Sequence, residues 1–479
     1  MAYSSIMRNT LLCVGLFTAV FFSTYKLSEA PAIWYDEGFY TQIGANFAEQ
    51  GEQLIQTAPG VFAPTTYITV GFPLIMPLSA AYTLFGVGVV QGRAVMVLFL
   101  LGFIFVSCFL ARQLFGKDIA PWTVLLLASF PMLYGNGKPV LGEVPGLFFL
   151  AATLLALRYL EKTNYQDWRG YAATGALAGL CVAIKPFFLL LLGALFVTLL
   201  IKWKKISLNW YGVALGVVAL LIPVGIWISL QFGADTSAAS VLSDYANPYS
   251  ISDLPSHIIG NALRLVTEST PLYTALLVSM WGLGIFLRRR SGISSAEIAA
   301  FIFCILTLLS YLRLEGWYRY LFPATAVSLI FLPAALASVY TFFAEKISFL
   351  SRTGWLVYIG IALLCAGHLY QTAHASYVAQ HYASDRTAVM SAYLSTLKGK
   401  SVFLYNTPEL AILLPHREYY QYLSPLPNVE IGKEVLKTLV GGGADVVIVS
   451  SEALEKNSEI FGAYVRNGMV DRYAILQKK

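Results

Sequence analysis

Charge is scarce in this chain. Only 12% of its 479 residues are Asp, Glu, Lys or Arg, while 57% are hydrophobic, where an ordinary soluble domain has about 25% charged residues. Together with a mean hydropathy of +0.66, this excludes a set of soluble domains. Apolar runs of near-spanning length recur through most of the sequence and define a polytopic α-helical membrane protein. Cysteine is also scarce. Cys13, Cys108, Cys181, Cys304 and Cys365 all lie within apolar runs, so neither a disulfide framework nor a zinc spacing follows from them. The net charge of +6 is no mark of nucleic-acid binding, because Lys and Arg gather in short loops between the apolar runs. Internal repeats and low-complexity tracts are absent as well. His374 and His381, seven apart, would share a helix face, but no third ligand stands at a suitable spacing for a metal.

What is present begins with an apolar run at 10–26, which reads as a retained signal anchor. Directly after it comes Trp34-Tyr35-Asp36-Glu37-Gly38-Phe39-Tyr40. Two adjacent carboxylates where a membrane helix meets water are costly unless solvated or used. The plainer alternative is that Asp36 caps a helix starting near Gly38. Residues 38–50 carry Phe39, Ile43 and Phe47 at helical spacing, which predicts an interfacial helix. The apolar segment 65–85, with Pro73 and Pro77, is either a span or a second interfacial segment.

The distribution of Lys and Arg decides between these. If 65–85 does not cross, about eleven spans follow: 10–26, 90–110, 119–134, 144–160, 171–184, 186–201, 210–232, 272–287, 296–312, 320–343 and 355–370. Cytoplasmic ends then carry Arg8, Arg112, Lys117, Arg158, Lys162, Arg169, Lys202, Lys204, Lys205, the Arg288-Arg289-Arg290 run, Lys346 and Arg352. The outer face keeps only Lys26, Arg93, Lys138, Lys185, Arg264, Arg313 and Arg319. A crossing at 65–85 would reverse this bias. From about residue 375 the apolar runs stop. Strands are predicted at 401–405, 445–450 and 473–477, with helices at 434–440 and 453–461. The expected organisation is therefore a transmembrane domain at 1–374, with outer interfacial helices at 38–86, and a small extracytoplasmic α/β domain at 375–479.

Several short motifs now combine. Asp36-Glu37 follows the first span, a proline-containing apolar segment ends in Leu84-Phe85-Gly86, and Arg93 opens the next span, which is followed by Leu114-Phe115-Gly116. Gly142-Glu143-Val144-Pro145, Lys185-Pro186 and Arg319-Tyr320-Leu321-Phe322-Pro323 continue the pattern. As a set, covering roughly residues 1–343, they resemble the GT-C class of polyprenyl-phosphate-sugar-dependent glycosyltransferases. The resemblance is closer to the superfamily of protein O-mannosyltransferases and bacterial aminoarabinose or galacturonic-acid transferases to lipid A. Two positions depart from it. Ala63-Pro64-Thr65-Thr66 stands where many relatives carry a charged or histidine residue before paired prolines, and residue 143 is Glu where the transferases to lipid A often have Asp.

The resemblance implies an integral enzyme of the inner or plasma membrane, with its active site on the extracytoplasmic face. It would move a hexose or pentose, with inversion, from a polyprenyl-phosphate donor to a lipid, a cell-envelope glycan or a protein. Asp36 would be the base that takes the acceptor's hydroxyl proton. Glu37 would orient it or contact acceptor or metal, and Glu143 would complete the catalytic set. The departing phosphate is already acidic and needs no general acid, but it does need cations. Arg93, Lys185 and Arg319 would supply them, with Tyr320 beside them. No cofactor is certain. A divalent metal is compatible with the class, but its ligands are unassigned, and the lipid-phosphate-linked sugar is a substrate.

Each residue also has a structural alternative. Arg93 would snorkel at a helix end, Lys185 would mark a break imposed by Pro186, Glu143 would pair with Lys138, and Tyr320 would join an aromatic belt. A polytopic lipid or sugar transporter and a catalytically inactive membrane scaffold are the competing functions. The nearly charge-free middles of the spans speak against the transporter. The charge asymmetry predicts that topology reporters fused at Gly51 and at Lys479 both report the extracytoplasmic side. A cytoplasmic signal from either one overturns the assignment.

Overall fold

The structure, a computed structural model, describes residues 5–66, 69–232, 249, 251–290, 292–347, 353–415 and 417–479. Among these, eight helices are long and apolar enough to cross a membrane. The first is α1 (Ser5–Thr24). It is followed by α2 (Tyr35–Gln50), α3 (Phe72–Phe85) and α4 (Val89–Phe115). Of these three only α4 reaches spanning length, at 27 residues. Helix α3 has 14 residues and extends about 21 Å at 1.5 Å per residue, short of a hydrocarbon core about 30 Å thick.

The eight long helices are fewer than the eleven expected spans, because three of those spans are shorter helices. The expected span 119–134 is divided into α5 (Ala120–Ser129) and α6 (Pro131–Gly137). Phe130 between them is extended, at φ −72° and ψ 114°, as the residue before a proline prefers. After α7 (Glu143–Lys162) comes α8 (Trp168–Ile184), with 17 residues. Lys185 then turns extended, Pro186–Leu189 forms one tight turn, and α9 (Leu190–Lys202) completes the pair. Pro186 lacks the amide that would continue the preceding helix, so the break at Lys185 is written locally.

Helix α2 starts three residues earlier than its sequence pattern suggested. Trp34 is its extended N-cap, so Asp36 is not the cap. Both acidic residues lie in the first turn, where the helix dipole favours negative charge. Between the two interfacial segments expected at 38–50 and 65–85, where no element was predicted, lies a hairpin, β1 (Leu54–Ala58) and β2 (Val61–Pro64). It turns at Pro59-Gly60, and Gly60 takes φ +71°, a conformation glycine adopts without steric cost.

The C-terminal part holds a six-stranded mixed sheet. The strands near 402, 446 and 473 match the expected positions, as β3 (Val402–Tyr405), β6 (Val446–Ser450) and β8 (Tyr473–Lys478). They are joined by β4 (Tyr419–Leu426), β5 (Val429–Ile431) and β7 (Tyr464–Val470), which the sequence did not suggest. The spatial order is β5-β4-β3-β6-β8-β7, with β3 parallel to both β4 and β6. Alternation of side chains sends Val402 and Leu404 into one apolar layer with Met390 and Leu394, and Phe403 and Tyr405 into the other with Leu439 and Phe461.

This sheet is attached to the N-terminal elements at several points. Glu29 accepts from the amides of Thr387 (2.9 Å) and Ala388 (3.2 Å) at the start of the helix Arg386–Ser395. Gln421 on β4 donates to the Gln56 carbonyl on β1 at 3.0 Å. The tightest contact is at Gly38, where a Cβ would stand 2.3 Å from the Glu409 amide and 2.4 Å from the Pro408 carbonyl carbon. Two backbones meet there with no room for a side chain. On an open helix surface Gly38→Ala would stabilise by about 1 kcal/mol. Here overpacking is expected to destabilise by about 1–3 kcal/mol, read as a lower melting temperature in detergent, and a rise in melting temperature refutes the contact.

Candidate active site

Adjacent residues on a helix point about 100° apart and do not face each other. Asp36 and Glu37 therefore leave α2 in different directions. Asp36 enters a cavity of about 980 Å3, which also receives Phe39, Tyr40, Lys185, Arg319 and Tyr320. Glu37 turns into the bundle and is 1% exposed. Its two oxygens accept from Arg93 Nε and Nη2, both at 2.8 Å, in a bidentate fork. The Val140 and Trp34 amides add hydrogen bonds at 3.2 and 3.3 Å. Arg93 spends its Nη1 on the carbonyls of Leu27 (2.8 Å) and Pro31 (2.9 Å) and has no exposed surface.

The three cations expected to converge thus divide. Lys185 and Arg319 line the cavity together with Asp36 and Tyr320, whereas Arg93 does not. Arg93 is not a snorkelling residue either, since it is wholly buried in an ion pair. Arg319 reaches Asp36 at 2.5 Å, and Lys185 reaches Glu143 at 2.6 Å. Glu143 opens α7 directly behind Lys185 and is not part of the lining. Lys138, its other potential partner, instead donates to the Tyr25 carbonyl at 2.6 Å. Burial, reinforced by the charge of Arg93, lowers the Lys138 amine to about 7.

Burial alone would lower the Arg319 pKa, but the carboxylates of Asp36 and Glu143 outweigh it and the net shift is upward. Arg319 is thus a permanent cation, and it is enclosed by aromatic faces. Its guanidinium carbon lies 4.8 Å from the Trp317 ring centroid, 5.5 Å from that of Tyr320 and 5.9 Å from that of Trp34. Tyr320 contacts the Tyr249 hydroxyl through its own. Among the described residues, Arg319 Nε and Glu143 Oε2 are buried without a hydrogen-bond partner. Buried polar atoms of this kind are uncommon and call for an explanation. Most of the remaining wall is apolar, including Pro186, Leu189, Leu190, Phe232 and Leu314.

Other lining residues were not anticipated as functional. Trp34 and Tyr40 flank the acidic pair in sequence, and Tyr40 stands four residues after Asp36, on the same helix face. Thr66 and Thr69 enter from the segment before α3, and Pro425 and Leu426 from the end of β4. Nothing in the sequence linked those last two to residue 36. Among the described residues no three His, Cys, Asp or Glu side chains gather in a way that could hold a metal. His374 and His381 do not share a helix, because the chain leaves its helical path at Ser376, which is extended.

Comparison with known proteins supports the class that this geometry suggests. A family model described as dolichyl-phosphate-mannose-protein mannosyltransferase matches residues 72–227, and no curated protein matches significantly. The structure is similar to that of ArnT from Cupriavidus metallidurans bound to undecaprenyl phosphate, with a TM-score of 0.65 at 15% identity over 98% of this chain and 97% of the other. It is also similar to the oligosaccharyltransferase of Archaeoglobus fulgidus, with a TM-score of 0.60 at 12% identity over 95% of this chain and 71% of the other. A third similarity is to the arabinofuranosyltransferase AftD from Mycobacteria, with a TM-score of 0.53 at 14% identity over 100% of this chain and 40% of the other. The fold is that of the GT-C class of multi-pass membrane glycosyltransferases.

The Glu37–Arg93 pair predicts an asymmetric mutational response. Arg93→Met leaves a buried carboxylate unpaired and is expected to cost about 3–5 kcal/mol, whereas removing both charges in Glu37→Leu/Arg93→Met costs far less. Denaturation of the purified protein measures this, and additive losses would refute the coupling.

Proposed function

We propose that this protein is an inverting glycosyltransferase that moves a sugar from a polyprenyl-phosphate donor to an acceptor on the extracytoplasmic side. The reading is carried by one observation: Asp36, Arg319 and Lys185 share a single cavity whose other walls are largely apolar. Such a cavity suits a donor with a charged phosphate head and a hydrocarbon tail. The bias of Lys and Arg toward the opposite loops supports the extracytoplasmic placement.

In this mechanism Arg319 and Lys185 hold the phosphate. Tyr320 stands beside them. The Asp36 carboxylate takes the proton of the acceptor hydroxyl as that oxygen attacks the anomeric carbon. The bond from this carbon to the phosphate oxygen breaks on the opposite face, and the electron pair leaves with the polyprenyl phosphate. One displacement inverts the anomeric centre. The developing negative charge meets cations already in position, which is the main source of stabilisation available here.

Glu37 acts behind the reacting atoms. It is saturated by Arg93 and two amides, and it sets the rotation of α2 that aims Asp36. Glu143 holds Lys185 from behind. The apolar floor of the cavity accommodates the first isoprene units. The alternative of a transporter is less favoured, since the structural likenesses include an oligosaccharyltransferase and an arabinofuranosyltransferase.

The test separates chemistry from binding. Asp36→Asn keeps the shape of the side chain but cannot accept a proton at neutral pH. Transfer from a polyprenyl-phosphate sugar is expected to fall by about a hundred- to ten-thousand-fold, while the purified variant still binds undecaprenyl phosphate. Near-normal turnover by the Asn variant would remove Asp36 from the chemistry.

A further inference from the structure

One patch of the cavity is polar without being charged. Tyr40 follows Asp36 by one helical turn, lines the cavity and is 4% exposed. Its hydroxyl meets Thr69 Oγ1 at 3.5 Å, the outer limit of a hydrogen bond, so both groups retain hydrogen-bonding capacity. Thr66 lines the same cavity. Thr65, by contrast, is bound to the Gln53 carbonyl at 3.1 Å and is structural.

The position of this patch is informative. Tyr40 lines the same cavity as Asp36 and Arg319, the groups assigned to proton and phosphate, and its hydroxyl feels both charges. Two residues after Thr69, the Gly71 amide donates to the Ile184 carbonyl at 3.1 Å, which fastens this segment beside Lys185. In a glycosyl phosphate a single oxygen joins the sugar to the phosphorus, so the sugar sits next to whatever cations hold that phosphate. Burial, with the charge of Asp36 adding to it, raises the Tyr40 pKa well above its usual value, so the hydroxyl stays protonated and can both donate and accept. Hydroxyls of Tyr and Thr combine donor and acceptor capacity in one atom, as sugar hydroxyls do.

Building on the donor reading above, we infer that Tyr40, Thr66 and Thr69 form the subsite for the sugar ring of the donor, recognising its hydroxyls rather than a charged substituent. Asp36 stands one helical turn before Tyr40, which places the base at the edge of this subsite, next to the anomeric carbon. Phe39 and Trp34, which also line the cavity, offer flat faces to the C–H side of the ring.

The test compares bare undecaprenyl phosphate with its mannosyl, glucosyl and arabinosyl esters, binding each to the full-length protein in nanodiscs. In the wild type at least one ester is expected to bind more tightly than the bare lipid. Tyr40→Phe, which keeps the ring, and the nearly isosteric Thr69→Val are each expected to weaken that ester by about three- to tenfold, the usual effect of one lost neutral hydrogen bond. Binding of the bare lipid should change less than twofold. The subsite is overturned if no ester gains over the bare lipid, or if bare and glycosylated lipids weaken equally. Failure of the wild type to bind bare undecaprenyl phosphate at all would instead overturn the donor reading on which the inference rests.

Discussion

The ion pair between Glu37 and Arg93 is the constraint on which the site depends. A carboxylate and a guanidinium buried together stabilise little compared with apolar side chains of the same size, because desolvation consumes most of their attraction. Their value is geometric. Four hydrogen bonds from three directions fix Glu37, and Arg93 in turn gathers the carbonyls of Leu27 and Pro31. The entry of α2, the start of α4 and the loop at Val140 thereby share one registration point. Since Glu37 cannot rotate, its neighbour Asp36 has only one direction left, which is into the cavity.

A second layer of ionic order lies at the cavity itself. Asp36 with Arg319 and Glu143 with Lys185 are pairs in which each cation already has an anion. This bears on which ligand the cavity would admit. Two uncompensated cations facing the bilayer would attract any phosphate headgroup. Paired as they are, they reward only a ligand able to displace or share those carboxylates, so the specificity has a repulsive element as well as an attractive one.

Much of this was legible in the sequence, and the exceptions are instructive. Composition was enough for the membrane class, and Pro186 marked the break at which Lys185 meets the cavity. An acidic pair at the end of an apolar run singled out Asp36. Assigning Arg93 to the phosphate was reasonable for a cation at a helix start, but its counter-ion lies 56 residues away, and local pattern carries no information over that separation. Strand β4 was not predicted although Tyr419, Tyr420 and Tyr422 suit a strand; it includes Pro425 near its end, a residue that weakens a strand pattern. Strand β7 contains Asn467 and Gly468, and its pairing slips between Arg466 and Gly468, which erases the alternation that would reveal it. Pro425 and Leu426 could not have been linked to residue 36 without the fold.

The backbone contact at Gly38 has a consequence for how such proteins diversify. Helix α2 is held on one side by Arg93 of the membrane bundle and on the other by Pro408 and Glu409 of the C-terminal part. Tyr35 adds a 2.6 Å hydrogen bond to Asn406. The helix that carries Asp36 is therefore seated by both portions. A C-terminal module grafted from a relative would carry its own loop at 406–409, and with it a different seat for α2. Exchange of that module would therefore have to bring a matching α2 with it.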